Sequence, residues 1–271
     1  MRWRAQNNAM IESGASIVIK SFQPFAGAKN MTVYAVLVGV FLGLTSIVSN
    51  ANSEEDIPVF FDMAPWEKER LTTAIDADFM TSEVFAQLVE PEGEFLGYMG
   101  SDYYRLHIGF TEVRPVEEAE TKVLVSGYLR RGALHCNLEG TIHVEHSHDL
   151  KRLDFGVDNE HRNSGISRQG FVFGSFSLKT MGTENCAGTL RGRNRVTWML
   201  MENGSITRND VGNDRYLRGD NLYAGVWIQE SSASALDANW GEFRIPFARP
   251  ELDIGAAEFS VNPEYLDYGW Q

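Results

Sequence analysis

A change of period at Gly93 limits this chain more than any other feature. Beyond it, apolar residues recur at every second position. In SDYYRLHIGFTEV, Tyr104, Leu106, Ile108 and Phe110 fall on one face of an extended segment. EFLGYMG before it reads as a strand, as do TKVLVSGYL, HCNLEGTIHVEHS, GFVFGSFSLK, CAGTLRG and RVTWMLME after it. Asn203-Gly204, just past the last of these, predicts a type I′ hairpin, and residues 149–168 predict a polar loop. Gly127, Gly140, Gly174 and Gly188 sit within or at the edge of strands, where closed or sharply coiled sheets need them. Many short antiparallel strands with no fixed-period repeat predict a meander that closes on itself and so hides its edges.

The flanks differ. APWEKERLTTAIDADFMTSEVFAQLVE predicts a helical segment over 64–90, with Pro65 in the first turn, Leu71, Ile75 and Phe79 at helical spacing, and Pro91 and Gly93 ending it. Residues 239–271 have no sustained period but carry Trp240, Phe243, Phe247, Phe259, Tyr265 and Trp270. Burying such rings offsets the entropy of ordering an irregular segment, which predicts an ordered cap. The expected fold is mainly β: one antiparallel β-barrel or sandwich, strands over about 94–230, an N-terminal helix and an aromatic-rich C-terminal cap.

The strand grammar from Glu94 to Glu230, with Gly225-Val226-Trp227 in a late strand, resembles the lipocalin and calycin barrels. In that family the Gly-x-Trp pair lies on the first strand. The resemblance implies a barrel with an interior cavity for a small apolar ligand.

Residues 30–53 contain no charge, and 32–48, TVYAVLVGVFLGLTSIV, are almost wholly apolar. Arg2, Arg4, Lys20 and Lys29 precede this run and Glu54, Glu55 and Asp56 follow it, the polarity of a segment whose C-terminal side is translocated. A span of roughly 20 residues crosses a bilayer, and this core is shorter. Ser49-Asn50-Ala51 supplies the small residues a signal peptidase reads. Residues 1–51 are therefore expected to be an N-terminal extension and signal peptide, with a retained signal anchor as the alternative. Residues 52–271 are expected to be a single exported β-rich domain, periplasmic or secreted, touching membrane only through 32–48 if that segment is uncleaved.

Losing residues 1–51 would remove four basic residues and Glu12 from totals of 24 and 37, leaving 20 and 36, a net charge of −16. Such a field repels nucleic acid and favours a basic protein or a cation. The two cysteines, Cys136 and Cys186, are expected to form a disulfide in an oxidising compartment, with two separate buried thiols as the alternative.

Four groups of residues carry candidate chemistry. His146 and His148, spaced i, i+2 on a strand, can chelate a transition metal if a third ligand such as His135 or His161 converges on them. Otherwise no cofactor is expected. Trp227, Trp240 and Trp270 can offer flat faces to a glycan or a protein, or seal the barrel end. Glu242, Asp253 and Glu258 lie among aromatics, as carboxylates of a glycan cleft would. Arg191, Arg193 and Arg195 can grip an anion or form a solvated strand face. There is no G-x-S-x-G elbow. The leading expectation is an exported, non-enzymatic β-barrel that binds a small apolar ligand, a glycan or an envelope protein. A metal-binding protein or metal-dependent enzyme and a glycan-active hydrolase are the alternatives.

Overall fold

Alternation of apolar and polar residues becomes a ring of antiparallel strands in the computed structural model, which describes residues 63–73, 79–116, 121–211, 221–232, 234–256 and 259–271. All of these fall in one compact unit, Val48–Gln271. The apolar run at 32–48 and the boundary after Ala51 lie outside the described residues.

Among the described residues two helices come first, α1 (Pro65–Lys68) and α2 (Ser82–Val89). Nine strands follow among them: β1 (Phe95–Met99), β2 (Tyr104–Pro115), β3 (Lys122–Arg131), β4 (Leu134–Asp149), β5 (Ile166–Met181), β6 (Gly188–Met201), β7 (Ile206–Thr207), β8 (Asn221–Gln229) and β9 (Ala235–Gly241). The order is β5-β4-β3-β2-β1-β9-β8-β6-β7, and a further β5–β6 pairing joins the two ends. Eight strands thus form a closed ring, with β7 as a short extra partner for the end of β6. Closure satisfies the backbone groups that an open edge would leave to other chains. Bulges at Phe110/Glu112, Val144/His146 and Ile166/Arg168 bend the long strands away from a regular barrel.

Period two decides what fills the ring. Leu106 and Ile108 of β2, Val123, Val125 and Leu129 of β3, and Phe176 and Leu178 of β5 all belong to one buried cluster with α2's Phe85, Leu88 and Val89. Thr81 caps α2 through Val84 N–H, and its apolar residues sit one turn apart, so one stripe faces the sheet.

Three expectations need correction. The helix does not run from 64 to 90. Leu71 leaves it to bridge Leu150, and Thr72 N–H donates to Asp149 O. Leu71 gains more by covering Phe173 beside Met63 than by continuing a helix. At Asn203-Gly204 only Gly204 has positive φ, +85°. Gly204 N–H bonds Met201 O and Met201 N–H bonds Ser205 O, a type I turn with a bulge rather than type I′. The cap begins after Gly241, since Asn239 and Trp240 belong to β9.

Candidate functional site

Large side chains fill the ring by lying over glycines on the neighbouring strand. Trp240 pairs with Gly97, Trp198 with Gly170 and Asn194 with Gly174. A Cβ at Gly170 would meet the Trp198 ring at 2.8 Å, so the glycine is what admits the indole. Tyr223 stacks on Trp240 with ring centroids 5.1 Å apart and planes 4° apart, and Phe176 meets both edge-on. One end is closed by α2, tied down by Asn221 Nδ2 donating to Val89 O (3.0 Å) and Arg208 donating to Glu90 O (2.6 Å). At the other end Cys136 and Cys186 are joined as a disulfide, Cα atoms 5.5 Å apart, and Trp227 Nε1 donates to Thr180 Oγ1 (3.0 Å).

The three candidate tryptophans therefore do not form one binding platform. Trp227 and Trp240 are buried inside the ring, their faces taken by neighbouring side chains. Trp270 lies outside, under Arg105 at 5.0 Å, with Nε1 donating to Tyr103 O.

His146 is exposed, whereas His148 is buried with Nδ1 2.9 Å from Thr72 O and its ring edge-on to Phe173. His135 and His161 do not complete a ligand set. Among the described residues no group of three His, Cys, Asp or Glu side chains comes together to hold a metal ion. Of the tail carboxylates, Glu242 pairs with Arg208 and accepts Glu92 N–H (2.8 Å). Burial pushes its pKa up, and Arg208 and the Glu92 amide oppose that. Asp253 accepts from Arg244 (2.7 Å) and from the amides of Gly255 and Ser260. Each carboxylate is fixed in its own clamp, and Glu258 lies outside the described residues. The arginine row is divided as well: Arg191 is exposed, Arg193 pairs with Glu145, and Arg195 is buried over the Phe171 ring.

A cluster that residue spacing does not announce lies on the outer face of β1–β3. Glu94 Oε1 is 2.6 Å from His107 Nδ1, and Glu94 Oε2 accepts from Tyr128 (2.8 Å) and Arg130 (2.5 Å). Register makes this: His107 opposes Arg130 and Gly109 opposes Tyr128. A Cβ at Gly109 would lie 2.4 Å from the Tyr128 ring, so only glycine lets the phenol fold across to Glu94. Partial burial pushes the Glu94 carboxyl up, but hydrogen bonds from His107, Tyr128 and Arg130 outweigh it and bring the pKa down to about 2. A carboxylate so held has no proton to give near neutral pH. It ties the start of β1 to β2 and β3.

Along β3 the outward positions continue from Arg130 and Tyr128 to Ser126 and Leu124. Those last two line a groove of about 420 Å³ that crosses to β4 and β5, with Arg114, Glu139, Lys179 and Met181 around it. Leu124 and Met181 are 40% and 38% exposed, an apolar pair among charges of both signs. The signal available in the sequence was alternation on β3; the strand that faces each residue was not available. Comparison with protein-family models, with curated proteins and with solved structures gave no match.

Proposed function

We propose that this chain is an exported, non-enzymatic β-barrel that binds another envelope or secreted protein through the outer face of β2–β5. The observation that carries the reading is the groove edged by Leu124 and Met181, continuous along β3 with the fixed Glu94 cluster. A rigid, mixed-charge rim around exposed apolar side chains is the make-up of a protein contact. The packed interior and the two closed ends favour this face over an apolar calyx. The joined cysteines suit an oxidising compartment. A net charge of −13 on the whole chain favours a basic partner.

The test uses wild type and the Leu124→Glu/Met181→Glu double variant as baits for proteins of the native compartment. Circular dichroism checks that both baits fold. A partner held by wild type and lost from the variant is expected, with weaker retention at high salt. Equal retention on both baits, or saturable uptake of a fatty acid by the wild type, contradicts the reading.

A further inference from the structure

One inward row differs from the rest of the ring's filling. Its members follow from register: Gly174 opposes Asn194, Asn194 opposes Tyr223, Tyr223 opposes Trp240, and Trp240 opposes Gly97. Asn194, Tyr223 and Trp240 are all 0% exposed. Where Gly97, Gly170 and Gly188 are covered by tryptophans, Gly174 is covered by an amide, and a Cβ there would lie 2.7 Å from Asn194 Oδ1. Among the described residues neither Asn194 Oδ1 nor Nδ2 has a hydrogen-bond partner, and the same holds for Tyr223 Oη and Trp240 Nε1. Buried polar groups in native proteins are paired almost without exception, and a leucine would fit the Asn194 position at no polar cost.

We propose that Asn194, Tyr223 and Trp240 hold one small, neutral, hydrogen-bonding guest inside the barrel. The row defines its chemistry. The indole N–H and the amide Nδ2 need acceptors, Asn194 Oδ1 needs a donor, and the Tyr223 hydroxyl serves either way. A hydroxyl or a carboxamide meets that demand, and so does water. The charged side chains that act on the Tyr223 phenol, Glu242 and Arg208, are paired with each other and so leave no charge to balance an ion, and burial pushes that phenol well above its usual pKa, so it stays protonated. Asn221 stands near the Tyr223 hydroxyl without completing a bond, and its own Oδ1 is unpaired. Stacked rings on one side and Asn194 over Gly174 on the other restrict the guest to a few heavy atoms. This site is separate from the outer face proposed for the protein partner and is of the opposite kind: enclosed, neutral and polar, where the sequence resemblance implied an apolar cavity.

The experiment is a high-resolution crystal structure of the full chain taken from its native source, with native mass spectrometry of the same sample. Density for one guest within hydrogen-bonding distance of Asn194 and Trp240 Nε1 is expected. Added mass on the native protein identifies an organic molecule, and its absence identifies water. Asn194→Leu is expected to lose the guest with no gain in Tm. Should that variant fail to fold, Tyr223→Phe keeps the ring stack, removes the hydroxyl, and is expected to lower the guest's occupancy. A row without guest density in the wild type overturns the proposal. So does an Asn194→Leu variant that folds normally and melts higher than wild type.

Discussion

The ring of strands carries two faces built by opposite rules. Inside, bulky groups lie over glycines and fill the ring, and several of their polar atoms have no partner among the described residues. Outside, polar groups answer one another, as Glu94 does with His107, Tyr128 and Arg130, and the exposed apolar residues Leu124 and Met181 stand in a groove. The inner face therefore sets stability, and the outer one is free to vary without unfolding the chain. Substitutions on the two faces should separate accordingly.

The largest effect is expected from Trp240→Ala. Its ring rests on Tyr223 and Phe176 over a glycine, so little can collapse into the space, and a loss of about 5 kcal/mol in urea unfolding is expected. Removing the disulfide with Cys136→Ala/Cys186→Ala is expected to cost about 4 kcal/mol by the chain-entropy relation for a separation of 50 residues. A much smaller loss would mean that α2 and the packed rings hold the ring closed without the bridge.

Titration sharpens the contrast with two carboxylates of opposite sign. Glu94 has its folded pKa lowered from 4.5 to about 2, so its contribution is full above pH 4.5 and is lost as pH falls toward 2. The stability difference between wild type and Glu94→Gln should be level from neutral pH to about 4.5 and then shrink. Glu242, raised by burial at the α2 end, favours the folded state most when protonated and loses that as pH rises through its folded pKa. Glu242→Gln should thus gain on wild type with rising pH. Parallel trends for the two variants would break the assignment. The smallest effect belongs to Leu124→Ala/Met181→Ala, expected to change stability by no more than about 0.5 kcal/mol because both side chains are already exposed.

Much of the inner face was legible in the sequence. Alternation fixes which residues of β2 point inward, and two cysteines in a β-rich chain leave a single pairing. What alternation cannot give is the partner across the strand, because register depends on turns and bulges far from either residue. Glu94 reaches Tyr128 only because β2 and β3 pair Gly109 with Tyr128. Helical spacing at Leu71 misled for a related reason: burial against Phe173 is a tertiary gain that spacing does not contain. Trp227 and Trp240 read as platform or plug until their strands were placed in the ring.

The central claim is that the partner meets the outside of β2–β5 and not the interior. Site-specific photo-crosslinking in the native compartment tests it most directly, with the photoreactive residue placed at Ser126 in the groove or at Ser232 in the β8–β9 turn. A discrete protein adduct from position 126, absent from position 232 and abolished by Leu124→Glu/Met181→Glu, is predicted. Adducts of equal yield from both positions, or an adduct from 126 that survives the double substitution, would contradict it.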